Sequence, residues 1–184
     1  MPNTDAEPAR RGLFKDPDTR YPVWRFGSRE IGFAAAFGGL GFALRAAGVI
    51  IPVFATINID PRDLAALIGP ALGGPIAGII IGVLCGAASA LPVVDVTADV
   101  LLGFAQGLVF RYLRHPFYYL GLAFNQFVLW PLSYAILLGP VLGVMPFMAA
   151  LVVVELINLV YFPIAIFLIE LLRKYNPTMR KLLE

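Results

Sequence analysis

The sequence predicts an all-α membrane protein: a bundle of six transmembrane helices with both termini in the cytoplasm. Of its 184 residues, 59% are hydrophobic and only 14% are charged. Apolar runs of about 20 residues, the length that a helix needs to cross a hydrocarbon core about 30 Å thick, recur along the chain. The basic residues flank these runs and form no stripe, which argues against a nucleic-acid partner. We therefore expect a multi-pass protein of the cell membrane.

Three regions follow from the distribution of charge. Residues 1–28 are polar and rich in proline, and we expect them to form a cytoplasmic tail. They contain no short apolar core followed by a small-residue cleavage site, so a removed secretory peptide is not expected. Residues 29–175 form the predicted transmembrane domain, and residues 176–184 a second cytoplasmic tail.

The number of crossings depends on a break in the second apolar block. The apolar blocks cover about 31–51, 64–90, 96–113, 117–138 and 146–172. Glycine and proline at Gly73-Gly74-Pro75 disrupt the helical hydrogen-bond ladder, which favours two short helices in the second block. Five crossings would place Arg111, Arg114 and the basic C-terminus outside, against the positive-inside bias, whereas six place them inside. Residues 64–73 give only about 15 Å of helix, so this helix must extend toward Pro61 or cross part of the bilayer.

The first helix carries small residues at a regular spacing. Ala35, Gly39, Ala43 and Ala47 follow one another at intervals of four positions and therefore share one helix face. Such a smooth face lets another helix approach closely. Packing within the chain's own bundle and docking of a partner both remain open.

The basic tail comes first in the sequence, then this helix and an outer loop, and then Asp63 with the segment 68–78 (IGPALGGPIAG). In this order the features resemble the substrate-binding S components of energy-coupling factor (ECF) vitamin transporters, although Gly39 replaces an alanine of their usual docking pattern. The resemblance implies six helices, docking through the first helix onto a transmembrane coupling subunit, and two ATPase subunits that use ATP. It also implies that residues 29–175 bind a water-soluble vitamin or precursor near the outer face, under a lid formed by the first outer loop. This chain would itself need no cofactor.

Arg45 lies about two-thirds along the first helix, where a charge must be paired, hydrated or moved to the interface. Three roles remain open: an ion pair with Asp99 or Glu155, snorkelling to the outer interface, and an anchor for a ligand carboxylate or phosphate.

Further polar residues are predicted in the outer half or near the middle of the membrane. Glu155 and Asn158 lie one turn apart and can face the same cavity. Asp95 is expected to cap the fourth helix, and Trp130 fits either the interfacial belt or a pocket. The candidate ligand contacts are Arg45, Asp99, Asn125, Trp130, Glu155 and Asn158, to which the resemblance adds Asn58, with Phe54 and Asp60, from the lid loop.

No catalytic or metal-binding pattern accompanies these residues, so we expect no enzyme and no metal site. His115 is the only histidine, Cys85 is the only cysteine, and no Walker-type phosphate loop is present. The competing hypothesis is a small self-contained secondary transporter or channel, in which Glu155 and Asp99 relay protons or cations. Arg45 with acidic and amide groups predicts a zwitterionic or anionic ligand, without selecting a particular vitamin.

Overall fold

The computed structural model of the protein describes residues 12–15, 22–54, 57–177 and 180, with only the backbone of residues 53, 54, 57 and 58. The helices are α1 (Ser28–Ala46), α2 (Pro61–Ala87), α3 (Pro92–Tyr112), α4 (Tyr118–Phe124), α5 (Trp130–Ile136) and α6 (Phe147–Tyr175). A π-helical turn, Asn125–Leu129, joins α4 to α5, and a second one, Leu137–Val141, follows α5. An antiparallel hairpin of β1 (Ile51–Phe54) and β2 (Ile57–Ile59) connects α1 to α2.

The predicted all-α class is confirmed for the described part of the chain. Four helices are long and apolar enough to cross a membrane: Pro61–Ala87, Pro92–Tyr112, Tyr118–Val141 and Phe147–Tyr175. Helix α1 is not among them. It ends at Ala46, short of the predicted position 51, and is followed by Gly48 with a φ of 69° and then by strand β1. A glycine in the left-handed conformation is a common helix terminator.

Helix α2 folds back on itself at Gly74, whose φ of 79° and ψ of −173° are not helical. A Cβ placed on Gly69 would lie 2.6 Å from the Ile81 side chain. In a straight helix these residues would be about 18 Å apart. Residues 61–73 and 75–87 are therefore antiparallel halves, and the predicted break at Gly73-Gly74-Pro75 is confirmed. The first half begins at Pro61, the first of the two alternatives expected for this short helix. The Asp60 side chain caps it by accepting a hydrogen bond from the Arg62 amide over 3.1 Å.

The second half of α2 packs directly on the backbone of α3. A Cβ on Gly78 would lie 2.1 Å from the Gly103 carbonyl oxygen, and Gly82 and Gly86 meet the α3 backbone in the same way. On the other side, α2 packs against the buried face of α1, which contains Ala34, Gly38 and Gly41. Small residues thus let three layers of helix approach closely, as packing in lipid favours.

The segment Tyr118–Val141 packs antiparallel to α6, with the rings of Phe127 and Phe162 5.1 Å apart. The Tyr119 hydroxyl donates to the Glu170 carboxylate near the C-terminal end of α6. The tail lies at this same end, because the Lys15 amide donates to the Tyr112 carbonyl oxygen over 2.9 Å. We call it the terminal end, and we call the opposite end, with the β-hairpin and Asp60, the hairpin end.

Candidate functional site

Six charged side chains gather near the hairpin end, where α1, α2 and α3 meet. This charged cluster comprises Arg45, Asp60, Arg62, Asp63, Asp95 and Asp99. Arg62 is its centre and is only 6% exposed. Charges buried to this degree are costly unless they are paired and hydrogen-bonded, so the pairing determines what the cluster can do.

Every side of the Arg62 guanidinium group faces an acceptor. It donates to the Asp95 carboxylate over 2.7 Å and to the Cys85 carbonyl oxygen over 2.8 Å. Its Nε lies 3.0 Å from the Asp60 carboxylate and 3.5 Å from that of Asp63. Arg62 therefore ties the start of α2 to both the end of α2 and the start of α3.

Two tyrosines close the cluster from α5 and α6. The Tyr134 hydroxyl donates to Asp95 over 2.6 Å. The Tyr161 hydroxyl accepts from the Asp60 amide and donates to the Asp60 carbonyl oxygen, at 2.6 and 2.8 Å. Trp130 packs beside both rings, with centroid distances of 5.6 Å to Tyr134 and 6.4 Å to Tyr161. The cluster thus has an aromatic wall.

Asp99 is the most deeply buried carboxylate of the cluster. Its side chain is 0% exposed, and neither carboxylate oxygen has a partner in the described part of the chain. The same holds for the indole N–H of Trp130, a residue only 4% exposed. Buried polar groups without a partner are uncommon, and each one calls for an explanation such as a missing ligand.

The register of two helices places Asp99 and Trp130 at the same level. Asp95 and Tyr134 are hydrogen-bonded at one height, while further along the Asn125 side-chain amide donates to the Gln106 side-chain oxygen over 2.9 Å. Helix α3 and the segment Tyr118–Val141 are therefore antiparallel. Because Asp99 follows Asp95 by one turn and Trp130 precedes Tyr134 by one turn, both fall between these two cross-links.

Amide side chains continue the polar interior beyond Asp99. The Asn158 side-chain amide donates to the Gln126 carbonyl oxygen. Four buried atoms of these amide side chains lack a hydrogen-bond partner among the described residues: Gln106 Nε2, Gln126 Nε2, Gln126 Oε1 and Asn158 Oδ1. These residues are all buried. The interior thus offers donors and acceptors that a bound polar molecule can satisfy.

Carboxylates outnumber guanidinium groups in the cluster. Four carboxylates face two guanidinium groups, which leaves an excess of two negative charges when all are ionised. The described residues contain no group of three or more histidine, cysteine or acidic side chains placed to hold a metal ion. The arrangement can accept hydrogen bonds and balance positive charge on an organic molecule.

Several predicted residues lie in or beside this interior, with changed roles. Arg45 pairs with Asp60 at 3.3 Å, rather than with Asp99 or Glu155. The expected capping by Asp95 is wrong, because this carboxylate binds Arg62 and Tyr134 and makes no cap hydrogen bond. Trp130 is buried, which is not the position of an interfacial-belt residue.

Other predicted residues are not brought together. Asn158 is fully buried, whereas Glu155 on the same helix is half-exposed and has no hydrogen bond or ion pair with any described residue. Asn158 thus lies in the buried interior and Glu155 does not, and a cavity shared by both stays a prediction. The side chains of Asn58 and Phe54 lie outside the described part of the chain, although the backbone of both belongs to the hairpin.

Sequence reasoning missed Arg62, Asp63 and Tyr134. The predicted six-crossing topology leaves Arg62 as a basic residue of an outer loop. The available signal was the succession of Asp60, Arg62 and Asp63 at the start of an apolar helix, since charges there must find partners when the helix is buried.

The small-residue face of α1 is exposed. Ala35, Gly39, Ala43 and Ala47 all lie on the surface of the bundle, whereas Ala34 and Gly38 face α2. A Cβ placed on Gly39 would meet no atom within 4 Å. The chain's own bundle therefore packs on the neighbouring face of α1, and the ridge itself is unoccupied in the described part of the chain.

Fold and site together define an α-helical protein with helices suited to a membrane and a buried polar interior, rich in carboxylates, near one end. Comparisons with protein-family models, with curated proteins and with solved structures gave no match.

Proposed function

We propose that the chain is the substrate-binding subunit of an ECF-type importer, which captures a water-soluble vitamin or precursor in an outward-facing pocket. The observation that carries this proposal is the buried polar interior at the level of Asp99 and Trp130. Its unpartnered atoms lie on α3, on α6 and on the segment Tyr118–Val141. Polar groups that converge within a mostly apolar bundle are typical of small-ligand binding.

The proposed topology has six crossings: α1, the two halves of α2, α3, Tyr118–Val141 and α6. The antiparallel halves of α2 and the contact between the tail and Tyr112 support it, because both termini then lie at the terminal end. That end also carries Arg111, Arg114 and the basic end of α6, so the positive-inside bias orients it to the cytoplasm. Residues 1–28 and 176–184 are then cytoplasmic tails of a multi-pass protein of the cell membrane.

The proposed partners are a transmembrane coupling subunit and two ATPase subunits, which use the ATP. The exposed ridge of Ala35, Gly39, Ala43 and Ala47 supports docking through α1, because a second helix can approach it closely.

Mass spectrometry tests the binding function directly. The protein is purified in mild detergent and denatured, and the small molecules that it releases are identified. A stoichiometric vitamin-like compound is the expected result. An empty protein that also fails to bind a panel of vitamins would overturn the proposal.

The docking role is tested by substituting Gly39→Trp on the ridge and Ala149→Trp on α6 as a matched control at another exposed position. We expect Gly39→Trp to abolish uptake while leaving ligand affinity unchanged, and Ala149→Trp to leave both unchanged. Equal loss of uptake and affinity in Gly39→Trp would contradict docking through this face.

A self-contained transporter coupled to protons or cations is the second candidate function, favoured by the buried carboxylate of Asp99. It predicts uptake by the lone protein in liposomes that depends on a proton gradient and is lost in Asp99→Asn. The importer subunit alone should give no such uptake.

A further inference from the structure

The charge of the ligand follows from the way the cluster satisfies its own arginines. Arg62 is enclosed by Asp60, Asp63, Asp95 and the Cys85 carbonyl oxygen. Arg45 pairs with Asp60 at 3.3 Å. Both guanidinium groups are thus already paired with the protein's own carboxylates. An anionic ligand would have to displace one of these carboxylates inside a cluster in which four carboxylates face two guanidinium groups.

The buried polar groups without a hydrogen-bond partner favour a cationic ligand. The two oxygens of Asp99 are acceptors, are fully buried, and have no hydrogen-bond partner in the described part of the chain. A carboxylate in such a position stays ionised only with a compensating cation or several donated hydrogen bonds, and without them it takes up a proton. At the same level lies Trp130, an aromatic residue whose ring face attracts cations.

We propose that the site binds a small organic cation, such as a protonated amine or an alkylated ring nitrogen, with Asp99 as its counter-ion and Trp130 packed against it. This inference rests on the proposed function and names the charge class of its substrate. It replaces the zwitterionic or anionic ligand, anchored by Arg45, that the sequence suggested. The amides of Gln106, Gln126 and Asn158 then serve the neutral polar groups of the same molecule.

Tryptophan fluorescence gives a local readout of this site. The chain contains two tryptophans, and Trp24 is exposed in the segment before α1. The variant Trp24→Phe therefore leaves Trp130 as the only indole reporter. This variant is titrated with four organic cations: 1-methylnicotinamide, thiamin, tetramethylammonium and 1,4-diaminobutane. Three anions, nicotinate, pantothenate and biotin, are titrated in parallel. Each titration is repeated in the presence of the compound released from the native protein, as a competitor.

The counter-ion is tested in the same background with Asp99→Asn, which removes the charge and keeps the shape. The matched control is Glu155→Gln, which neutralises another membrane-level carboxylate that has no ion pair among the described residues. We expect at least one cation to bind, Asp99→Asn to weaken it on the order of a hundredfold, and Glu155→Gln to change it less than about twofold. Size-exclusion chromatography checks folding, and Asp99→Glu, which keeps the charge but displaces it, should weaken binding less than Asp99→Asn.

The outcomes separate this inference from the proposed function. Tightest binding of an anion would overturn the cation assignment and leave the binding subunit intact. Equal cation affinity in Asp99→Asn would overturn the role of Asp99. If no probe binds and the native protein releases no compound, both the inference and the proposed function are wrong.

Discussion

The guanidinium group of Arg62 lies 2.8 Å from the carbonyl oxygen of Cys85, although the two residues are 23 positions apart in one apolar block. A straight helix would separate them by about 35 Å. The contact therefore joins the free ends of the two halves of α2, while Gly74 forms the turn between their other ends. The same side chain pairs with Asp95, so one residue connects the helical hairpin to α3.

Substitution of Arg62→Gln should strongly destabilise the protein, because it leaves several buried carboxylates without their counter-charge. Breaking a buried ion pair by removing one partner costs about 3–5 kcal/mol. Thermal unfolding in detergent should show a clear fall in melting temperature. Lys174→Gln, at an exposed position of the terminal end, is the control and should have little effect. An unchanged melting temperature in Arg62→Gln would mean that the network adds no stability.

Substitution of Gly74→Ala should disrupt the turn of α2 in two ways. The φ of 79° disfavours any Cβ, and the added atom would lie 2.2 Å from the Arg111 guanidinium group. Gly48→Ala separates the two effects, since Gly48 has a φ of 69° but nothing within 4 Å of an added Cβ. Strain at Gly48 should cost about 1–2 kcal/mol. Gly74→Ala should cost more, because a φ of 79° with a ψ of −173° is essentially restricted to glycine and because the added atom meets Arg111. Equal losses of unfolding free energy in Gly74→Ala and Gly48→Ala would show that the Arg111 side chain moves aside freely.

Substitution of Gly78→Ala should separate the second half of α2 from α3, because the new methyl group would lie 2.1 Å from the Gly103 carbonyl oxygen. Backbone atoms cannot move aside as a flexible side chain can, so we expect a loss of about 1–3 kcal/mol, typical of overpacking. Gly32→Ala on α1, with nothing within 4 Å, should be neutral or slightly stabilising through helix propensity. Chemical denaturation of both variants in detergent gives the comparison, and similar stabilities would refute backbone contact between α2 and α3.

Docking of the tail should depend on pH through Lys15. Burial, with the neighbouring Arg111 and Arg114, lowers the pKa of Lys15 to about 8 from its ordinary value of 10.5. Between pH 8 and pH 10.5, the Lys15 side chain is deprotonated when the tail is docked and protonated when the tail is undocked. Docking therefore releases a proton, and it should strengthen as the pH rises from about 8 to 10.5. Below pH 8 the docked state carries a disfavoured charge.

Lys15→Met removes the ammonium group and keeps an apolar side chain. It should therefore increase the protection of the residue 15 amide against hydrogen exchange at pH 7. That amide donates to the Tyr112 carbonyl oxygen, and hydrogen exchange corrected for the intrinsic rate measures its opening. The difference between variant and parent should shrink as the pH rises toward 10. Equal protection at pH 7 would contradict a cost of burying the charge.

The sequence determines well where helices lie along the chain and poorly how they face one another. The break at Gly74 was predictable because glycine and proline act through the local backbone. The exposed ridge of α1 was predictable as a face, because its spacing matches the helical period. Its exposure was not predictable, since Ala34 and Gly38 on the adjoining face offer an equally smooth surface for α2.

The pairing within the charged cluster was not predictable, because it depends on which helices are neighbours. Asp95 was expected to cap its own helix, a local role, but its partners come from α2 and α5. The spacing predicts that Glu155 and Asn158 share one face of α6, yet Glu155 is half-exposed and Asn158 is buried. Arg62 was read as a loop charge because its position in the chain shows nothing of the surrounding acceptors.

The halves of α2 are short, and this has a consequence for the surrounding lipid. Residues 61–73 span about 20 Å, whereas the 29 residues of α6 span about 43 Å. In the proposed topology, residues 61–73 are shorter than a hydrocarbon layer about 30 Å thick. The lipid leaflet beside α1 at the hairpin end would then become thinner, or a water-filled depression would form there. In the proposed six-crossing topology, aqueous solute would then reach the level of Asp60 and Arg62 without crossing a full leaflet of hydrocarbon, and access to the interior would depend on membrane thickness.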